Sequence, residues 1–108
     1  MEVDVERDDE RSRYEIAVDG RPAGFADFRQ EGSTVVFPHT VIEASMRGQG
    51  LGAELVRHAL DDVRAAGGSV VAQCWYVAQF IDEHREYSDL LVTPRADAGG
   101  TVSPSDRQ

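Results

Sequence analysis

The fold is decided by one stretch in the middle of the chain, TVVFPHTVIEASMRGQGLGAELVRHALDDVRAAGGSVVAQC, residues 34–74. Its first part, residues 34–42, is rich in β-branched side chains, as strands are. From Leu51 the apolar residues follow the spacing of an amphipathic helix until two consecutive glycines end it. Residues 69–74 are nearly all apolar, which is typical of a strand covered on both faces. This strand–helix–strand order predicts a βαβ unit whose two strands are parallel.

The flanking sequence predicts further strands and a second helix. In residues 14–18, large apolar side chains alternate with smaller or charged ones, and Asp19-Gly20 is a strong signal for a tight hairpin turn. Pro38 interrupts the strand predicted over residues 34–42, which indicates a bulge or an edge position. Residues 76–85 return to helical spacing. We therefore expect an α/β fold of the α+β kind, with a mostly antiparallel sheet, one parallel βαβ crossover and a C-terminal helix.

Length and composition predict one folded domain followed by a tail. The chain has 108 residues, which is the usual size of a single domain. Residues 93–108 are rich in Gly, Pro, Ser and Asp and have few apolar side chains to bury. We expect a single domain over residues 1–92 and a disordered C-terminal tail over residues 93–108.

The charge balance disfavours two classes of partner. The chain has 20 acidic and 11 basic residues, every basic one an Arg, and a net charge of -9. Such a chain is repelled by a phosphate backbone and by an anionic membrane surface, so we expect neither nucleic acid nor a membrane as partner. The acid-rich surface would attract a cationic amine, although acidic surfaces also arise simply for solubility.

Targeting signals and cysteine usage point to the cytoplasm. No apolar run reaches the roughly 18 residues that cross a bilayer, and the acidic N-terminus lacks the apolar centre of a signal peptide. Cys74 is the single cysteine, so no internal disulfide can form. These features predict a reducing compartment, most simply the cytoplasm.

A glycine-rich turn, Arg47-Gly48-Gln49-Gly50-Leu51-Gly52, joins the first strand of the βαβ unit to its helix. Glycine accepts positive φ and lets a ligand approach the backbone, and the first turn of a helix exposes unpaired N–H groups. Together these features favour a pyrophosphate site. The turn is not a P-loop, since no Lys-Ser/Thr follows, and its glycine spacing differs from the dinucleotide fingerprint. The alternative is a turn that only reverses the chain.

Several motifs carry a resemblance to a known family. Arg47-x-x-Gly50-x-Gly52 resembles the Gln/Arg-x-x-Gly-x-Gly/Ala signature of the GNAT N-acetyltransferase superfamily, which binds acetyl-coenzyme A. From about Val3 to Leu91 the chain is similar to the small stand-alone YjdJ-type acetyltransferases, on motifs at residues 13–15, 24–28, 37–40, 47–52 and 86–90. It departs from that family's Pro-Leu-Cys-Pro-Phe at residues 72–76 and from its His-Pro-Glu-Tyr at residues 84–87.

The resemblance implies a binding mode for acetyl-coenzyme A, the expected co-substrate. The backbones of Val41 and Ile42 would pair with the pantetheine arm like an added strand. Arg47 is also expected to bind the cofactor. The pyrophosphate would be held by backbone N–H groups of the turn and the first helical residues, namely Gly48, Gln49, Gly50, Leu51, Gly52 and Ala53.

The resemblance also implies Cys74 and His39 as the candidate catalytic residues. Acetyl transfer needs a base for the amine or an acid for the departing thiolate, and a neighbouring base activates a thiol. Two routes stay open: Cys74 takes the acetyl group transiently with His39 as its base, or the amine attacks directly and Cys74 protonates the leaving sulfur. We expect no metal, since three His and one Cys lack ligand spacing.

The sequence therefore predicts an N-acetyltransferase that uses acetyl-coenzyme A and an unidentified small-molecule or protein amine. A non-catalytic acyl-coenzyme A-binding module is the alternative, which would keep the glycine turn without the chemistry. A plain interaction domain is disfavoured by the glycines at the helix start. The oligomeric state is left open.

Overall fold

The computed structural model describes residues 1–92, so the tail predicted for residues 93–108 lies outside the described residues. Within the described part, seven strands and two α-helices alternate with short turns. The strands are β1 (Val3–Asp8), β2 (Arg13–Val18), β3 (Arg21–Asp27), β4 (Arg29–Glu31), β5 (Thr34–Phe37), β6 (Thr40–Ile42) and β7 (Ser69–Ala72). The helices are α1 (Leu51–Ala65) and α2 (Trp75–Glu83), with short 3₁₀ helices at Ala44–Met46 and Arg85–Leu90.

The strands form two sheets that separate along one line. The larger has the order β1-β2-β3-β6 with every pair antiparallel, and the smaller has the order β4-β5-β7. In the smaller sheet β5 and β7 are parallel, in register from Thr34 opposite Ser69 to Phe37 opposite Ala72. The predicted mostly antiparallel sheet with one parallel βαβ crossover is confirmed.

The single strand predicted over residues 34–42 is instead two strands in different sheets. Phe37 at the end of β5 accepts a hydrogen bond from Cys74 N at 2.9 Å, whereas the carbonyl of His39 accepts from Asp27 N at 3.1 Å. Between them lies Pro38, which has no N–H to contribute to either ladder. The chain therefore leaves the smaller sheet and enters the larger one across a single proline.

Helix α1 packs on one face of the larger sheet. Its predicted apolar stripe is buried, and it meets buried side chains of β2, including Tyr14 and Ile16. The Tyr14 hydroxyl donates a hydrogen bond to Asp62 of α1 at 2.5 Å, which fixes the helix against the strand. Because α1 is held at its C-terminal half, its glycine-rich N-terminus has a defined position beside β6.

The last described residues pack onto the helices. Helix α2 buries Val77, Phe80 and Ile81, and the Tyr87 hydroxyl donates to Asp61 of α1 at 2.7 Å. Val92 N donates to the carbonyl of Val70 at 2.9 Å, beside β7. No helix within residues 1–92 is long and apolar enough to cross a membrane.

Candidate active site

A cleft of about 640 Å³ opens where the two sheets separate. Four segments line it: the strand β6 at Thr40–Ile42, the turn at residues 46–48, the start of α1 at residues 50–52, and the start of α2 at residues 74–76. Among the strands of residues 1–92, β6 pairs only with β3 while β7 pairs with β5, and the cleft lies between these two pairs. One edge of β6 is thereby left open toward the cleft.

The hydrogen-bond register decides which backbone groups of β6 face the cleft. His39 and Glu43 are both bonded to the neighbouring strand, at 3.1 Å from Asp27 and 2.8 Å from Ala23. Since bonded pairs alternate in an antiparallel ladder, Val41 is the bonded residue between them. Its backbone therefore faces β3, and the groups that face the cleft are those of Thr40 and Ile42. Of the two residues predicted to present their backbone, the register leaves this position to Ile42, although both residues lie in the lining of the cleft.

The glycine-rich turn has the backbone geometry that only glycine adopts readily. Gly48 has φ 84°, and Gly50, the N-cap of α1, has φ 75°. A Cβ built on Gly50 would meet no atom within 4 Å, so the space in front of the helix is open to a ligand. The first helical hydrogen bond runs from Glu54 N to Gly50 O at 3.1 Å.

The start of α1 offers unpaired donors to this space. The N–H groups of Leu51, Gly52 and Ala53 precede the first helical bond, and among the described residues no side chain caps this helix. Gln49 and Ala53, which were also expected to hold the pyrophosphate, lie outside the lining of the cleft. A helix start of this kind carries a partial positive charge that suits an anion.

Arg47 is the single charged side chain in the lining of the cleft, as far as residues 1–92 are concerned. Its Nε donates to the carbonyl of Ile42 at 3.3 Å, which ties the turn to the open edge of β6. In a chain of net charge -9, a cleft whose one ionised side chain is positive suits an anionic ligand.

Tyr76 lines the cleft and is a residue that the sequence did not single out. A Cβ on Gly52 would lie 2.7 Å from its hydroxyl oxygen, so glycine is needed there for the ring to reach the helix start. Burial, with a smaller effect of Glu83, raises the pKa of the Tyr76 phenol. The group is therefore a proton donor across the neutral range. The sequence did contain one indication of this contact: Gly52 lies within the predicted helix, where a glycine suggests that another side chain packs closely against the backbone.

Cys74 lies at the point where β7 ends and α2 begins. It is 6% exposed, is the N-cap of α2, and directs its Sγ toward Thr40 Oγ1 at 3.7 Å. The bond from its backbone N to Phe37 O holds it in place. The thiol thus faces the inner end of the cleft, opposite the first residue of β6.

His39 directly precedes Thr40, but its side chain lies on the opposite face of that segment from the side chain of Thr40. Its Nε2 is 2.6 Å from Asp27 Oδ2, its ring stands edge-on to Phe25 with centroids 6.3 Å apart, and its side chain is 57% exposed. Because successive side chains of a strand alternate between faces, His39 points away when Thr40 points to Cys74. The structure does not bring the two predicted catalytic residues together.

Comparison with known proteins places the chain in a family. The model of the family described as GCN5-related N-acetyl-transferase matches residues 13–90. The chain therefore belongs to the GCN5-related N-acetyltransferase family, and the superfamily predicted from its motifs is confirmed. No curated protein matches the chain in sequence.

Solved structures share the fold at low sequence identity. A GCN5-like protein from Staphylococcus aureus has 15% identity and a TM-score of 0.65, covering 97% of this chain and 96% of its own. A ribosomal-protein-alanine N-acetyltransferase from Brucella melitensis biovar Abortus 2308 has 21% identity and a TM-score of 0.53, with coverages of 84% and 67%.

The Escherichia coli ribosomal-protein-S18-alanine N-acetyltransferase is similar over a shorter region. It has 20% identity and a TM-score of 0.53, and the match covers 56% of this chain. The chain spans 39% of the length of that enzyme. These likenesses establish the fold.

Proposed function

We propose that this protein transfers an acetyl group from acetyl-coenzyme A to an amine. The observation that carries the proposal is the cleft itself, in which an uncapped helix start and the lone positive side chain of Arg47 adjoin the open edge of β6. Each feature suits a different part of one ligand. Phosphates are recognised by helix N–H groups and by Arg, and amides are recognised by a free strand edge.

In this reading the pyrophosphate binds the backbone N–H groups of residues 48–53 together with Arg47. The amides of the pantetheine arm pair with the backbone groups of Thr40 and Ile42. Trp75, a residue of the cleft lining that is 73% exposed, supplies an apolar face for the same ligand. The thioester then lies at the inner end of the cleft, beside Cys74.

The reaction requires two proton movements. The amine nitrogen attacks the thioester carbonyl carbon and loses a proton, and the C–S bond breaks to leave a thiolate that gains one. Cys74 and Tyr76 are the proton donors in the cleft, and His39 is the candidate base. Cys74 can still act as a proton donor to the leaving sulfur or as a transient acetyl carrier, but the carrier route needs a base other than His39, which pairs with Asp27 instead.

The acceptor is proposed to be a cationic amine, on a small molecule or on a protein. A second cavity, of about 560 Å³, lies on the outer face of the larger sheet and shares Val41 with the cleft. Its lining includes four carboxylates and two arginines, namely Asp4, Glu6, Glu15, Glu43, Arg11 and Arg13. The excess of negative charge supports attraction of an ammonium group.

The second candidate is a non-catalytic acyl-coenzyme A-binding module. It is favoured by the separation of His39 from Cys74, since within residues 1–92 the thiol contacts Thr40 and the imidazole contacts Asp27. Such a module would bind the coenzyme in the same cleft without turnover.

Placement in the small stand-alone YjdJ-type group is a further proposal, which the motifs at residues 24–28 and 37–40 support.

A cytoplasmic location is also proposed. It is supported by the single cysteine, since a chain with one cysteine has no internal disulfide that would need an oxidising compartment.

Binding can be tested with the protein's single tryptophan. Because Trp75 lines the cleft, acetyl-coenzyme A and coenzyme A should change its fluorescence and raise the melting temperature. At 100 times the dissociation constant the stabilisation should be about 2.7 kcal/mol. Gly50→Val should abolish both effects by filling the open space before α1.

Gly32→Val is the matched control for backbone strain. Gly32 also has positive φ, 65°, with open space around it, and it lies in the turn between β4 and β5. This variant should lose stability and still respond to the coenzyme. A wild-type protein unaffected by millimolar acetyl-coenzyme A would refute the proposed ligand.

Turnover separates the two candidate functions. Release of free coenzyme A is followed with acetyl-coenzyme A and a panel of amines that includes spermidine and peptides with free N-termini. Amine-dependent release supports the transferase. Binding without any release supports the non-catalytic module.

A further inference from the structure

We propose that Asp27 is a positioning residue that holds His39 as the base for the acceptor amine, with Nδ1 of His39 as the atom that takes the proton. The proposal rests on the proposed acetyl transfer and adds to it the residue and the atom. Its basis is the contact between Asp27 Oδ2 and His39 Nε2 at 2.6 Å.

The backbone fixes this contact from both sides. Asp27 N donates to the carbonyl of His39 at 3.1 Å, so the two residues stand directly opposite each other on paired segments. Directly opposed residues place their side chains on the same face of a sheet. The ring of Phe25, edge-on to the imidazole, limits the remaining freedom of His39.

The neighbouring cation does not compete for the Asp27 carboxylate. Arg13 is the partner of Asp27 across β2 and β3, but its guanidinium stacks 4.5 Å above Phe25 and pairs with Glu15 at 2.9 Å. Within residues 1–92, the imidazole of His39 is the one basic side chain found within 4.0 Å of the Asp27 carboxylate. The carboxylate is therefore directed at the imidazole.

The tautomer follows from the chemistry of the partner. An ionised carboxylate only accepts hydrogen bonds, so Nε2 of His39 carries the hydrogen and the neutral ring keeps its lone pair on Nδ1. An acceptor that arrives as an ammonium ion first gives one proton to Nδ1, which frees the nitrogen lone pair. That nitrogen then bonds to the thioester carbon as the C–S bond breaks, and the second proton lost from nitrogen balances the one that the leaving thiolate gains. The imidazolium is stabilised by Asp27, and its 57% exposure lets it return the proton to water.

The position of His39 suits a base that takes a proton from the acceptor amine. Thr40, the next residue, contacts the thiol at the inner end of the cleft, and His39 lies on the opposite, solvent-facing side. The coenzyme is proposed to fill the cleft side of β6. An amine that arrives from the other side therefore meets the imidazole first.

The first test reads the tautomer and needs no activity. Histidine side-chain ¹⁵N NMR at pH 8, with His39 assigned through His39→Gln, should show hydrogen on Nε2. His84 is an internal control, because its Nδ1 lies 2.9 Å from the carbonyl of Phe80 and must carry the hydrogen there. A His39 ring with hydrogen on Nδ1, or one that averages both tautomers, would overturn the proposal.

The second test separates positioning from a structural role. Wild type, Asp27→Asn and Asp27→Glu are compared with ethylamine, which is an ammonium ion at pH 8, and with methoxyamine, which is uncharged. Asp27→Asn should lower kcat with ethylamine by about 10²-fold or more, since general-base help is lost. Coenzyme affinity and the rate with methoxyamine should change little, and Asp27→Glu should recover part of kcat.

Glu31→Gln is the control, because Glu31 forms an exposed ion pair with Arg29 at 2.7 Å away from the site. It should leave both rates unchanged. Equal losses with both amines in Asp27→Asn, or no loss with either, would refute the role of Asp27. A wild-type protein that binds the coenzyme and acetylates neither amine would refute the proposed function, and the base role with it.

Discussion

Cys74 and Thr40 face each other across the line where the two sheets separate, with Sγ 3.7 Å from Oγ1. The two residues come from different elements, since Thr40 begins β6 and Cys74 precedes α2. Both residues lie in the lining of the cleft. The thiol therefore has a hydroxyl group as its hydrogen-bond partner, so variants of both residues are needed to define the role of Cys74.

We expect Cys74→Ser to separate the two routes. If Cys74 carries the acetyl group, turnover should fall by several orders of magnitude while coenzyme affinity barely changes. If it only protonates the leaving sulfur, the loss should be about 10²–10⁴-fold, and mass spectrometry of quenched reactions should find no acetyl-cysteine. Thr40→Val, which removes the hydroxyl partner, is the companion variant. Near-wild-type turnover in Cys74→Ser would show that the thiol is structural.

We expect Gly52→Ala to destabilise the protein through Tyr76. The new methyl would lie 2.7 Å from the Tyr76 hydroxyl oxygen and 3.0 Å from Cζ, so the ring must shift, at a cost of about 1–3 kcal/mol. Tyr76→Phe removes the closest atom. In urea denaturation the double variant should lose less stability than the two single losses combined. Strict additivity would contradict the contact.

We expect Tyr14→Phe to lower the free energy of unfolding at neutral pH and to reduce the loss of that free energy as the pH rises above about 10. Burial first, and the bond to Asp62 second, raise the pKa of Tyr14 above its ordinary value. The native state then keeps a proton that the unfolded chain loses. The stabilisation is complete below about pH 10 and decreases as the pH rises further.

Urea denaturation at pH 8 and pH 10.5 measures both effects. At pH 8 the lost hydrogen bond to Asp62 should cost about 1–3 kcal/mol. Between the two pH values the variant should lose less stability than wild type. Tyr87 also has a raised pKa, through burial and then Asp61, so Tyr87→Phe should reduce the same slope independently. An unchanged slope in both variants would contradict the assignment.

We expect a chain that ends at Val92 to fold and bind the coenzyme as the full chain does, because the sequence of residues 93–108 has few apolar side chains to bury. A chain that ends at His84 should lose cooperative unfolding. It would lack the buried Tyr87 and Leu90, and removing one buried leucine side chain alone costs about 2–5 kcal/mol. Thermal unfolding by circular dichroism compares the two. Loss of cooperativity in the longer chain would refute this boundary.

Local signals carried much of the fold. Asp19-Gly20 makes the predicted turn with both φ angles positive, 50° and 82°, because few residue pairs accept that backbone. The helical period from Leu51 and the glycines that end it gave α1, and the apolar strand after it gave the parallel pair with β5. These features depend on residues close in sequence, where spacing and backbone preference decide the outcome.

The sheet change at Pro38 and the site contacts depend on long-range register. A shift of one residue moves a strand side chain to the opposite face, so the sequence alone cannot tell whether His39 or Thr40 meets Cys74. The structure gives that place to Thr40 and pairs His39 with Asp27, from a strand that the sequence could not align with it. The sequence by itself determined the helices, the glycine turn and the family, because these are local patterns. Only the tertiary structure decided which side chains face each other, because the register of β3 with β6 and the separation of the two sheets arise from packing between distant segments.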